Sequence, residues 1–123
     1  MRQQKPRRDD INERALVFAC RVIDFIPSIV PRPGMRRLAD QLVGAAGGIG
    51  SNLEEAVAAS SRREFVRFNE IALRETRESV FWLKVCQRSR LGDVVTHGEL
   101  LDEGQQIARI IATIIINTKR NGL

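Results

Sequence analysis

The chain has 123 residues, a hydrophobic content of 43% and a formal net charge of +5. This length suits one domain with one hydrophobic core, and the balance of apolar and charged residues excludes a chain that is disordered throughout. With no Tyr, one Trp and five Phe, the core must be built mainly from aliphatic side chains and Ala, which favours helices packed on helices. The sequence therefore predicts a single all-α domain.

Positive charge is concentrated at the N-terminus, in Arg2, Lys5, Arg7 and Arg8. We expect residues 1–8 to form a disordered basic tail and residues 9–120 to form the folded domain. These four cations leave only +1 of the net charge to the rest of the chain. Total charge alone therefore does not indicate a nucleic-acid-binding protein.

Nothing in the sequence indicates export or membrane insertion. The most apolar stretch, residues 107–116, contains Arg109 and is about half the length of a membrane span. Cys20 and Cys86 lie in different predicted helices without metal-ligand spacing, and we expect both to be reduced, buried, small apolar residues. The sequence predicts a cytoplasmic protein that does not contact a membrane.

Four segments repeat apolar residues at three- and four-residue steps, which is the period of one helix face. The first begins near Asp9 or Asp10, and prolines at positions 27, 31 and 33 end it. The second begins at about Met35 and contains four glycines, at positions 44, 47, 48 and 50. Because a glycine inside a helix costs roughly 1 kcal/mol relative to alanine, we expect a neighbouring helix to approach the backbone closely there. A phosphate-binding loop is disfavoured, since no lysine precedes Ser51 and no strand precedes the glycines.

Two capping boxes mark the third and fourth helices. Ser61 and Glu64 open the third, which we expect to stop at a left-handed Gly92. Thr96 and Glu99 open the fourth, whose segment 107–116 is apolar on more than one side. That pattern is typical of a helix deep in a core or against a second subunit. Four such helices with short connectors predict an antiparallel up-and-down four-helix bundle.

The sequence carries no recognisable catalytic centre. Its single histidine, His97, is expected to be an exposed residue at the start of the fourth helix, and no Glu-x-x-His pair of the di-metal type is present. Ser60 and Ser61 adjoin each other without a base partner, so capping is the better interpretation. We expect no enzyme activity, no catalytic residue, no metal and no cofactor.

One polar pair lies beside the apolar stripe of the second helix. Asn52 is expected to be half-buried, with Glu55 one turn away. We interpret Asn52 and Glu55 as a structural polar network with an arginine of the third helix as a plausible partner, in preference to a ligand site.

A row of residues follows one face of the third helix at three- and four-residue steps, over roughly 38 Å. Six of its eight positions are basic, and Glu70 and Phe81 are the other two. The candidate nucleic-acid-binding residues are Arg63, Arg67, Arg74, Arg77, Lys84 and Arg88. Such a row could track the phosphates of a nucleic acid. The alternative is a solvated face whose cations pair with Glu64, Glu70 and Glu78.

The sequence resembles the bacterial four-helix-bundle family, also called the 23S ribosomal RNA intervening-sequence proteins. The resemblance covers nearly the whole chain and rests on a hallmark similar to S-x-x-N-I-A-E-G, followed by S-x-x-E-F and I-A-L. The matching residues are Asn52, Glu55, Ser61, Glu64, Phe65, Ile71, Ala72 and Leu73. The chain departs from the hallmark at Glu54, where Ala is usual, and at Ala56, where Gly is usual.

This resemblance implies a homo-oligomeric bundle, with a pentameric ring expected. The family is associated with inserts in ribosomal RNA genes. The accessory proteins of diversity-generating retroelements look like relatives, and they form basic pentamers that bind nucleic acid and a reverse transcriptase. We therefore expect a non-enzymatic homo-oligomer that binds RNA or DNA and has a reverse transcriptase or another protein among its candidate partners. The alternative is a protein-interaction scaffold that binds no nucleic acid.

Overall fold

The computed structural model describes residues 8–121, which form four long helices and the connectors between them. The helices are α1 (Arg8–Phe25), α2 (Arg36–Val57), α3 (Arg62–Arg88) and α4 (Val94–Arg120), with one 3₁₀ turn at Ile26–Ser28. Both α1 and α3 pack on α2 and α4, so α1 and α3 lie diagonally across the bundle. The predicted antiparallel four-helix bundle is confirmed. Residues 1–7 of the predicted tail lie outside the described residues, and Arg8 is the first residue of α1.

The core is aliphatic, as the composition predicts, but α3 adds a line of buried polar side chains. Asn69, Thr76 and Ser79 are each at most 1% exposed. Each donates a hydrogen bond to the carbonyl four residues earlier in its own helix, at 3.0, 2.7 and 3.0 Å respectively. Because their donors are satisfied locally, these residues occupy the core without partners from another helix.

The end of α3 differs from the predicted one. The helix stops at Arg88, earlier than predicted, and Arg90 takes the left-handed position that follows, with a φ of 55°. Gly92 is left-handed as predicted, with a φ of 78°, but it lies in the connector to α4. The amide of Leu91 then donates to the carbonyl of Cys86 at 2.8 Å, which closes a Schellman cap. Leu91 is 4% exposed, so burial of its side chain accompanies the earlier turn.

The start of α4 also differs, and this changes the environment of the histidine. Asp93 is the N-cap, and its carboxylate accepts a hydrogen bond from the amide of Thr96 at 2.9 Å. The predicted capping box at Thr96 is therefore wrong, because the helix begins earlier. His97 consequently lies inside the helix, 3% exposed and edge-on to Phe25 at 6.2 Å, so the expected exposure of His97 is also wrong. Neither ring nitrogen of His97 has a hydrogen-bond partner within the described chain.

The two cysteines are both free but differ in environment. Cys86 is buried as predicted, and burial raises the pKa of its thiol to about 11. Cys20 is exposed, contrary to the prediction, because it lies on the outer face of α1. It stands at helical spacing between Leu16 and Ile23, which are 57% and 55% exposed. We refer to Leu16, Cys20 and Ile23 as the α1 stripe.

Close approach of a neighbouring helix explains some of the glycines of α2 but not all of them. A Cβ atom built on Gly44 or Gly47 would meet nothing within 4 Å, whereas Gly50 is in ordinary contact with α1. At Gly48 a Cβ atom would lie 2.9 Å from the Oε2 atom of Glu75 in α3. The close approach predicted for this segment is thus present at Gly48 and Gly50 and wrong for Gly44 and Gly47, which face away from the neighbouring helices.

Candidate nucleic-acid interface

The outer face of α3 carries the predicted basic residues, and all of them are exposed. They are Arg63, Arg67, Arg74, Arg77, Lys84 and Arg88, which we call the basic row. One continuous helix carries the row, and its start is fixed by Ser61, whose hydroxyl accepts a hydrogen bond from the amide of Glu64 at 3.1 Å. The Ser61 half of the predicted capping box is therefore confirmed.

None of the six side chains makes an ion pair or a hydrogen bond within residues 8–121. The three acidic residues expected to pair with these cations do not do so. The carboxylate of Glu64 accepts a hydrogen bond from Ser60, and that of Glu70 is 3.3 Å from the Nζ atom of Lys119. Glu78 is half-buried and forms no ion pair with any described residue. The ion-paired face that the sequence left open is therefore not formed, and the cations can accept an external anion.

Charge is distributed unevenly around the bundle. α3 has seven basic and four acidic residues, a net charge of +3, whereas the other described residues have ten basic and eleven acidic ones, a net charge of −1. Between α1 and α4, opposite charges cancel in pairs: Arg14 binds Glu103 through two nitrogens, at 2.9 and 2.6 Å, and Arg21 binds Glu99 at 2.9 Å. The hydrogen bond from Arg14 to Glu103 raises the pKa of the Arg14 guanidinium. Unpaired positive charge is thus concentrated on the α3 side, diagonally opposite α1.

The predicted pair Asn52 and Glu55 is not brought together within the described chain. Asn52 donates to the carbonyl of Gly48 at 2.8 Å, while Glu55 is exposed and makes no hydrogen bond or ion pair there. No arginine of α3 binds either residue within the described chain, and the α3 side chain nearest this segment is that of Glu75, whose carboxylate covers Gly48. Desolvation, reinforced by the charge of Glu78, raises the pKa of Glu75. Sequence reasoning missed Glu75, and its only signal was the glycine that makes room for it.

An exposed aromatic residue lies on the same face of α3 as the basic row. Phe81 is 55% exposed, and its ring is edge-on to that of Trp82, with centroids 5.1 Å apart and planes at 72°. The helical spacing predicts its position in the row but gives no reason for an apolar ring there.

Two further classes of site are not formed by the described residues. No three His, Cys, Asp or Glu side chains in residues 8–121 are grouped so as to hold a metal ion. None of the helices in this range combines the length and the hydropathy needed to cross a membrane.

These features define a small helical-bundle protein that is distinguished by a charged face. The chain belongs to the 23S rRNA-intervening sequence protein family, whose sequence model matches residues 7–113. A similar solved structure is that of a protein of unknown function from the S23 ribosomal protein family of Bacteroides thetaiotaomicron, determined at 1.70 Å resolution. The two chains are 25% identical, with a TM-score of 0.79 over 85% of this chain and 97% of the other. No curated protein matches the chain.

Proposed function

We propose that the protein is a non-enzymatic, homo-oligomeric nucleic-acid-binding accessory protein, with a pentamer as the expected assembly. The observation that carries the proposal is the basic row, six exposed cations on one helix face with no partner among the described residues. The name of the family refers to an intervening sequence of 23S rRNA, which fits a nucleic-acid ligand.

The basic row suits recognition of phosphates rather than of base sequence. Five of its six members are arginines, whose planar guanidinium can hold two phosphate oxygens at once. A cation that binds a phosphate releases condensed counterions from the nucleic acid, so affinity depends steeply on salt. The proposed activity is therefore binding along the nucleic-acid backbone with little sequence preference.

Self-association is supported by the α1 stripe rather than by α4. The apolar excess of segment 107–116 is largely used within the chain, because Ile107, Ile111 and Ile115 are all buried in its own core. The α1 stripe, by contrast, exposes apolar surface that no described residue covers. It lies on the helix diagonal to α3, so subunits that meet through it would leave the basic row accessible.

A gel-shift titration with single-stranded DNA and RNA at low salt tests the proposal. We expect the wild type to bind and the double variant Arg67→Glu/Arg74→Glu to lose binding while its mass in light scattering stays unchanged. Arg37→Glu/Arg109→Glu is the matched control, since it makes the same charge change at exposed positions outside the row. Absence of binding by the wild type would overturn the proposal. If the Arg67→Glu/Arg74→Glu protein also dissociated, the row would be a subunit seam of a protein scaffold.

A further inference from the structure

The helix face that carries the basic row also carries one residue that phosphate binding does not require. Among the described residues Phe81 is the one exposed aromatic side chain, and the other four Phe and the Trp are buried or half-buried. An exposed phenylalanine adds nothing to an ionic contact, but its ring offers an apolar face on which a planar group can stack. Among cations, such a ring suits a ligand that combines negative charge with planar rings.

Cations flank Phe81 on the same helix face. Arg77 precedes it by four residues and Lys84 follows it by three, which places them about 6 Å and about 4.5 Å away along the helix axis. Both side chains are exposed and unpaired within the described chain. A ligand that lies on Phe81 can therefore be held by positive charge on either side.

The Phe81 ring is supported from one side and open on another. Trp82 touches it edge to face at a centroid distance of 5.1 Å, and within the described residues Phe81 makes no other ring contact. More than half of the Phe81 surface remains accessible. This contact restrains the ring without covering it.

We infer that Phe81 is a stacking platform for an unpaired base, and that the basic row consequently takes single-stranded rather than duplex nucleic acid. This inference rests on the proposed function and names its ligand class. Both faces of a base inside a duplex are covered by its neighbours, whereas a single strand can turn a free face toward an aromatic ring. Stacking of this kind tolerates any base, which agrees with a row that reads phosphates.

Fluorescence anisotropy with a labelled 20-nucleotide oligo(dT), an oligo(U) of the same length and a 20-base-pair DNA duplex tests the inference on the full chain. We expect Phe81→Ala to weaken binding of both single strands by about fivefold or more, since stacking on an aromatic ring contributes at least that much. Duplex affinity should change less than twofold. Phe81→Tyr, which keeps the ring, should retain single-strand affinity.

Ile116→Ala is the matched control, because Ile116 is 54% exposed on α4, outside the row. It should change neither affinity. Trp82 is the single tryptophan of the chain and touches Phe81, so it provides a second readout. Its fluorescence should be quenched by oligo(dT) in the wild type, and this quenching should be lost in Phe81→Ala at saturating oligonucleotide.

The outcomes separate this inference from the proposed function. If the wild type binds no nucleic acid, both fail. If it binds all three probes and Phe81→Ala weakens them equally, or weakens none, the proposed function stands and the single-strand inference is overturned. A drop in oligomeric mass of Phe81→Ala would also overturn it, because Phe81 would then be a subunit contact.

Discussion

The Nζ atom of Lys119, in the last turn of α4, lies 3.3 Å from the Oε2 atom of Glu70 in α3. Glu70 is the one acidic position in the eight-residue repeat that forms the basic row. The ion pair therefore places a cation from another helix against the only negative charge on that face. It also ties the C-terminal end of α4 to the proposed binding surface.

Removal of the Glu70 charge should strengthen nucleic-acid binding. Both partners are about half exposed, so water and salt screen the effect, and we expect Glu70→Gln to raise affinity at low salt by up to about fivefold. Lys119→Met should lower the affinity for nucleic acid, because it leaves the Glu70 charge without its partner cation. In the Glu70→Gln background the same substitution should lower the affinity less, since that negative charge is already absent. Anisotropy titrations of the four proteins measure this coupling. Glu13→Gln on α1 is the control, and an equal gain there would show that only net charge matters.

Polar substitution of the α1 stripe should dissociate the proposed oligomer. Leu16→Ser/Ile23→Ser removes two side chains that are 57% and 55% exposed in the single chain. We expect a lower mass in light scattering, whereas Val94→Ser/Val95→Ser, at positions 70% and 68% exposed, should leave the mass unchanged. A retained mass in the Leu16→Ser/Ile23→Ser protein would place the subunit contact elsewhere.

Cys20 provides an independent measurement of the same contact. It belongs to the α1 stripe, and Cys86 will not compete for a maleimide because it is buried and its pKa is raised to about 11. Cys20 should react slowly in the wild-type oligomer and quickly in the dissociated variant. Fast labelling of the wild type at high protein concentration would contradict burial of the stripe in a subunit contact.

Much of this architecture is readable from the sequence. The apolar period of the first segment places Ile11, Ala15, Phe18, Val22 and Ile26 on one face; the first four are buried, and Ile26 is half-buried in the 3₁₀ turn. The same period on α3 predicts which face carries the arginines. The apolar period is predictive because it indicates which face of a helix is buried, and the buried face is determined by the residues of the whole segment. The bundle follows from this period, whereas the family rests on the motif that includes Asn52, Glu55 and Ser61.

Single positions whose environment depends on another helix are less predictable. Thr96-x-x-Glu99 fits the pattern of a capping box, but Asp93 is the cap of α4 in the folded chain. That shift of three residues decides whether His97 faces water or Phe25. Cys20 is a different case, because the period of α1 already places it opposite Ile11 and Phe18, and only its apolar character suggests burial.

Substitution of the open glycines of α2 should stabilise the fold. Gly44→Ala and Gly47→Ala add a methyl group that meets no atom of the described chain, so each should raise the free energy of unfolding by about 0.5–1 kcal/mol. Gly48→Ala should gain less, because Glu75 must move aside. Urea unfolding at one protein concentration measures the series. A loss of stability at Gly44 or Gly47 would reveal that another subunit covers that face.

The cap of α4 should make stability depend on acid pH. Hydrogen bonds from the hydroxyl and the amide of Thr96 lower the pKa of Asp93. Because the folded pKa lies below the unfolded value of about 3.9, the stabilisation is fully present above that value and is lost as the pH falls through the folded pKa. Asp93→Ala should therefore lower Tm at neutral pH, and the difference from the wild type should shrink below about pH 4. A difference that stayed constant down to pH 2 would exclude this cap as the cause.

The salt dependence of binding to a single-stranded oligonucleotide tests the central claim most directly. If all six cations of the basic row contact phosphates, log Kobs should fall against log[salt] with a slope of about −4, since each contact with a single strand contributes about −0.7. Arg67→Ala/Arg74→Ala should make that slope shallower by about 1.4, whereas Arg37→Ala/Arg109→Ala should leave it unchanged. A slope near zero, or an identical slope in the wild type and the Arg67→Ala/Arg74→Ala variant, would contradict the assignment of the basic row as the nucleic-acid interface.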